Sequence, residues 1–187
     1  MARDHARLRL DIWADEDYTD LPCTSQWLYQ RLLTHGELSY CGVTDWRPGR
    51  LAASAADLQP HDVEMFAAPL EAGDFLIIDR ETEEVLIRSF VKHDGLMDKW
   101  NLAAAMAREF TAVASKPLRA VIVGELTRLK ESHPEYRGWA RPDVQKILRR
   151  VAMTPAEARE RTPESPYQSP KLCPSESPKE SPKERVA

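Results

Sequence analysis

The sequence predicts a mainly α protein with a small β-hairpin: a winged helix-turn-helix, then a C-terminal helical region, then a disordered tail. Three observations predict it. Residues 47–73 hold two helix-forming stretches, each with a proline near its start and separated by the break Asp57-Leu58-Gln59. Two apolar or β-branched runs, Phe75-Leu76-Ile77-Ile78 and Val85-Leu86-Ile87, then flank polar residues 79–84, which is the pattern of a hairpin. From residue 154 the composition changes to Ser-Pro repeats with Lys and Glu, too poor in apolar side chains to offset chain entropy.

Each element follows from local chemistry. Leu8, Leu10 and Ile12 alternate and predict a short strand, with Trp13 as a core anchor. Residues 21–35 predict a helix capped by Thr24 or Ser25, with Trp27, Leu28, Leu32 and Leu33 as its apolar stripe. Residues 38–43 are extended and fit a third, short strand; Tyr40 and Trp46 read as packing residues. Pro48 suits the first turn of the next helix, where its missing N–H removes a donor that would be unpaired anyway. Pro60 opens the second helix of the pair, whose Val63, Phe66, Ala67 and Leu70 recur at about 3.6 residues. Gly73 ends it, and Pro69 is expected to stop or bend it earlier. The hairpin tip would be the wing. Beyond it, Asn101 is expected to cap a helix reaching about residue 115, and Ser115 with Pro117 opens another that ends before Pro134. Gly138-Trp139 makes a turn, and Arg141-Pro142-Asp143 starts a helix carrying Val144, Ile147, Leu148 and Val151. The expected divisions are residues 1–97 for the winged helix, 98–153 for the C-terminal helices and 154–187 for the tail.

Several function classes find no support. The chain has no phosphate-binding glycine loop, no dinucleotide fingerprint, no nucleophile elbow and no HExxH pair, so no catalysis and no cofactor are expected. Five scattered histidines, three distant cysteines and the acidic runs at residues 15–17 and 83–84 lack ligand spacing, and no metal is expected. Cys23 and Cys41 read as semi-buried thiols and Cys173 as a tail thiol. The charged N-terminus lacks a signal-peptide core, and no apolar run approaches the roughly 18 residues of a spanning helix, so no membrane partner and a cytoplasmic location are expected.

Charge is unevenly distributed. Residues 42–100 hold six Lys/Arg against twelve Asp/Glu, whereas residues 103–153 hold ten against five. Affinity for nucleic acid rests largely on neutralising phosphates, so a backbone-binding surface is expected on the C-terminal helices, at Arg141, Lys146, Arg149 and Arg150. If the second helix of the pair entered a major groove, Gln59 and His61 would be its readers, weakened by Asp62 and Glu64. Arg47 and Arg50 are candidates to hold phosphates, and Arg80 to reach a neighbouring groove from the wing tip; Lys92 completes the set.

The order helix, turn, helix, hairpin, followed by Ile87-Arg88-Ser89-Phe90-Val91-Lys92-His93-Asp94-Gly95, resembles winged-helix proteins encoded by phages and prophages of actinobacteria. These are distantly similar to the N-terminal domains of DnaD-like replisome organisers. The resemblance spans about residues 8–151 and implies non-catalytic binding of double-stranded DNA in a bacterial host cell, in replication initiation or transcriptional control. Replication or transcription proteins, or a second copy in a homodimer, are the protein partners it allows. The absence of a basic reading helix departs from that pattern. An interaction module whose acidic winged helix never touches nucleic acid is the alternative.

Overall fold

Three short strands form where the β-branched runs lie, and the helices close over both faces of the sheet they make. The structure is a computed structural model that describes residues 6, 8–93 and 95–162. In chain order a 3-10 turn at Leu10–Ala14 leads to α1 (Glu16–Thr19), α2 (Cys23–Leu33), β1 (Val43–Asp45), α3 (Pro48–Ala52) and α4 (Pro60–Ala72). Then come β2 (Leu76–Asp79), β3 (Glu84–Ile87), α5 (Phe90–His93), α6 (Trp100–Phe110) and α7 (Lys116–Ser132). A second 3-10 turn at Arg137–Ala140, α8 (Pro142–Leu148) and α9 (Pro155–Arg161) complete it.

The sheet is antiparallel in the order β1-β3-β2, with Val43 opposite Leu86 and Ile77 opposite Leu86 on the other side. Helix α2, strand β1, the pair α3–α4 and the β2–β3 hairpin therefore reproduce the winged-helix order. Every residue of β2 is buried, including alternate ones that point to opposite faces. Helix α4 packs on one side, and α7 and α9 also contact β2, so a single core runs from Tyr18 through Leu86 and Phe110 to Ala158, across residue 97. Phe110, Leu28 and Ile77 are each fully buried, contributing about 1.5–3 kcal/mol apiece relative to exposure.

Several local expectations are corrected. Residues 8–12 form no strand: bonds from Ile12 N to Arg9 O and from Asp15 N to Ile12 O (both 3.3 Å) wind the segment into a 3-10 turn. Three alternating apolar residues could not separate the two outcomes. Trp13 is 58% exposed, and Tyr18, against which it stands edge-on, is the buried anchor instead. Helix α2 starts at Cys23 with Pro22 before it, and Gln26 Nε2 ties its entrance by donating to Leu21 O (3.0 Å), so neither Thr24 nor Ser25 is the cap. The third strand lies at residues 43–45, not 38–43. Pro69 does not end α4; the helix runs on to Ala72. Only the bond to the Met65 carbonyl is lost, and Met65 is on the exposed side, where water can serve that oxygen.

Helix α6 starts at Trp100 after Lys99 rather than being capped by Asn101, and it ends at Phe110. The Glu84 carboxylate accepts from Ala114 N (2.9 Å) and Ser115 N (2.7 Å) and draws residues 111–115 out of helix. Helix α8 stops at Leu148 because Met153 N donates to Ala120 O (3.0 Å), pulling the chain onto α7; Val151 is left 81% exposed. Disorder does not begin at residue 154. Thr154 and Glu157 form a capping box for α9, Ala158 is buried, and Arg159 reaches Asp74 Oδ1 (3.0 Å) and the carbonyl of Glu71 at the end of α4. The tail expected beyond residue 162 lies outside the described residues, as does Cys173.

The two described thiols differ. Cys23 is exposed, not semi-buried, whereas Cys41 is buried and burial pushes its thiol up to about 11. Thiolate is the reactive form. In a Cys173→Ser variant at pH 8, a thiol reagent should therefore titrate one cysteine in the native protein and the second only after denaturation; two equally fast native thiols would contradict this environment for Cys41.

Candidate nucleic-acid interface

The arginines of the helix-turn-helix and of the wing turn are each paired with carboxylates of the same half. Arg47 lies 3.3 Å from Asp45 and 3.6 Å from Glu83, and Arg50 lies 4.0 Å from Asp45. Strand β1 ends beside the first turn of α3, with Trp46 N bonded to Glu83 O, so the wing turn and the start of α3 share these ions. Gln59 precedes α4, and its backbone N donates to Asp62 Oδ2 (2.7 Å); His61 Nε2 lies 3.1 Å from Asp62 Oδ1. Both proposed readers thus stand beside one carboxylate, on a helix containing no lysine or arginine.

Arg80 is the largest departure from expectation. It folds inward from the turn after β2, with its side chain 13% exposed. Nε and Nη2 donate to Glu64 (3.2 and 2.8 Å), and Nη1 and Nη2 donate to Glu71 (3.1 and 2.9 Å). Burial alone would lower its pKa, but the bonds it donates to Glu71 and Glu64 outweigh that and hold it above the ordinary arginine value. The other oxygen of Glu64 accepts from Trp46 Nε1 (2.9 Å). Arg80 fastens the wing to α4 and cannot reach a groove while it does so.

The C-terminal half is arranged differently. Within residues 136–156 the sequence has a single acid, Asp143. Arg141 neutralises it, donating Nε and Nη2 to its two oxygens (3.0 and 2.8 Å), and this bond holds the Asp143 carboxyl below the usual carboxylate range. The Arg141 guanidinium also lies over the half-exposed Trp100 ring, 4.7 Å from its centre. Lys146 on α8, and Arg149 and Arg150 just past its end, are all exposed. Arg150 rests over Phe110 at 5.4 Å. Because Met153 is bonded to Ala120, this segment lies against the start of α7, where Lys116 is exposed and Arg119 is half-buried.

None of Lys116, Arg119, Lys146, Arg149 and Arg150 has an acidic partner within 4.0 Å among the described residues. Glu84, a nearby acid, is turned onto the Ala114 and Ser115 amides. The structure thus brings together Lys146, Arg149 and Arg150, as the sequence indicated, and adds Lys116 and Arg119. These two carried no local signal beyond their charge, since it is the fold of residues 149–153 back onto α7 that makes them neighbours. It separates off Arg80 and ties Arg141 to Asp143. Lys92 is exposed on α5, at the edge of a cleft of about 870 Å³ whose lining also includes Asp11, Asp15 and Asp98. The lining of that cleft is of mixed sign, six carboxylates with five Lys/Arg. Tyr29 Oη and Ser89 Oγ, 2.8 Å apart, lie in its wall.

Among the described residues no helix is long and apolar enough to cross a membrane, and no group of three or more His, Cys, Asp or Glu could hold a metal ion. No protein-family model, curated protein or solved structure matches the chain.

Proposed function

We propose that the protein binds the phosphate backbone of double-stranded DNA through the basic face at the end of α8 and the start of α7. Its helix-turn-helix does not read bases. The observation that carries this reading is the contrast in pairing: Arg47, Arg50 and Arg80 already contact carboxylates of their own half, while Lys146, Arg149 and Arg150 have none among the described residues. Moving a paired arginine onto a phosphate exchanges one anion for another and gains little. An unpaired exposed cation gains the full release of condensed counterions. The phage-type role, in replication initiation or in transcriptional control, rests on the resemblance at residues 87–95 and needs no catalysis.

Binding to a duplex of random sequence, measured by anisotropy over a salt series, tests it. Changing Lys146, Arg149 and Arg150 to Glu should lower the slope of log affinity against log salt by about 3, with a loss of at least about a hundredfold at low salt. The Arg47→Ala, Arg50→Ala pair should shift affinity by less than about threefold. Unchanged affinity and slope in the triple variant would refute the reading.

A further inference from the structure

A small pocket lies where the end of α2, the end of β1 and the start of α3 meet. It measures about 150 Å³ and is lined by Arg31, His35, Asp45, Arg47, Arg50 and the buried Leu51, so three guanidiniums share one carboxylate. Arg47 and Arg50 lie 3.3 and 4.0 Å from Asp45, and Glu83 reaches Arg47 from outside the lining at 3.6 Å. Arg31 is half-buried and has no acid within 4.0 Å among the described residues. Even with Glu83 counted, one guanidinium is in excess. His35 adds a neutral donor. The Glu37 amide donates to its Nδ1 (3.3 Å), so Nδ1 accepts and the proton of the neutral ring sits on Nε2; Thr44 Oγ1 is 3.1 Å from the same Nδ1. Nothing among the described residues bonds Nε2. Burial and the neighbouring Arg31 and Arg50 lower the pKa of this ring, against the opposing pull of Glu37 and Asp45. The ring therefore stays neutral at pH 7 and keeps an N–H to give.

We infer that this pocket binds the terminal phosphoryl group of a phosphate monoester. Its volume is that of about five waters, which suits a phosphate and falls short of the ~300 Å³ of a site that encloses a whole small molecule. A monoester carries about 1.5 to 2 negative charges at pH 7, more than a phosphodiester, and guanidinium forks match its oxygens in pairs. Its free end can enter where the interior of a chain, tethered on both sides, cannot. The pocket is therefore independent of the basic face: interior phosphates of a duplex are diesters, and Arg47 and Arg50 still add little to duplex affinity.

NMR titration of the His35 ring in the full chain tests the inference, with inorganic phosphate as the probe and chloride at matched ionic strength as the control. The resonance is assigned by its loss in His35→Gln. Saturating phosphate should increase the protonated fraction of His35 at pH 7 at least about threefold, because a nearby anion favours the charged ring. Arg31→Gln should raise that fraction without phosphate, since Arg31 holds the ring's pKa down, and should abolish the response to phosphate. Asp45→Asn removes the carboxylate already in the pocket and should tighten phosphate binding at least about fivefold. A thermal melt of each variant confirms that it is folded. Two further arms identify the source of the phosphoryl group: deoxyadenosine 5′-monophosphate against deoxyadenosine, and a short duplex with 5′-phosphates against the same duplex without them. A response to the mononucleotide assigns the pocket to small phosphate esters and a response to the phosphorylated duplex to DNA ends; both support the inference. A His35 ring that titrates alike in phosphate and chloride, an Arg31→Gln variant that still responds, or an equal response to deoxyadenosine would overturn it.

Discussion

Replacing Arg80 with alanine should cost about 3–5 kcal/mol of folding stability, the range for removing one member of a buried ion group. The reason lies in what is left behind. Glu64 and Glu71 have side chains only 7% and 17% exposed, and both face the Arg80 guanidinium. Without it, two carboxylates share a poorly hydrated space and lose the cation between them, although the Trp46 indole N–H still donates to one of them. A urea titration of Arg80→Ala against wild type measures the cost. The combination Arg80→Met, Glu64→Gln, Glu71→Met should recover most of it, because a buried ion group replaced as a whole by packed neutral side chains is near neutral. Glutamine at 64 still accepts from Trp46. A loss below about 1 kcal/mol in Arg80→Ala would mean that the arginine is not held inside. The same variant separates the two views of the wing: a phosphate contact from its tip would appear as a salt slope lowered by about 1, whereas an arginine fastening β2 to α4 leaves the slope of the folded variant unchanged.

Arg80 also shows where sequence reasoning ends. The hairpin was legible because Leu76-Ile77-Ile78 and Val85-Leu86-Ile87 leave little alternative to paired strands. Helix α7 was legible because Ser115 and Pro117 mark its start and Leu118, Val121, Ile122 and Leu126 keep a 3.6-residue period. The opposite charges of the two halves could be counted directly. Whether a given charge is neutralised could not be. The carboxylates that bind Arg80 are 9 and 16 residues away, on another element, and no local spacing marks them. The same holds for Glu84 on the Ala114 and Ser115 amides and for Glu109, which accepts from Tyr40 N across 69 residues. Helix α9 is a different kind of miss. Thr154-Pro155-Ala156-Glu157 carries a capping box with proline in the first turn, a signal that was present, and the Ser-Pro composition of the segment after it masked the boundary. Of the candidate interface, Lys146, Arg149 and Arg150 follow from the excess of cations that can be counted over residues 103–153. Lys116 and Arg119 join them only through the bond from Met153 to Ala120.

Gly42→Ala should be as damaging as the loss of Arg80, about 2–5 kcal/mol, and for an unrelated reason. Gly42 sits just before β1 with φ +81, where a Cβ is disfavoured by about 1–2 kcal/mol even in open space. Here the space is closed as well. A Cβ would stand 2.9 Å from Phe90 Cβ and 3.0 Å from the Ile87 carbonyl oxygen. Neither can yield by a change of rotamer. The first atom is retained by every residue but glycine, so Phe90→Ala brings no rescue, and the second belongs to the backbone of β3, whose Ile87 N is bonded to Gly42 O (2.8 Å). Gly95 supplies the control: its φ is +62 but nothing stands within 4 Å of its Cβ position, so Gly95→Ala should cost only the backbone preference, about 1–2 kcal/mol. Gly42 packs against the point, Ile87 to Phe90, where the chain leaves β3 for α5 and so for the C-terminal helices. With one core continuous from Tyr18 to Ala158, its damage should lower a single cooperative melting transition for the whole described chain. Two transitions in Gly42→Ala, with only the earlier one shifted from wild type, would show instead that the basic helices fold independently of the sheet.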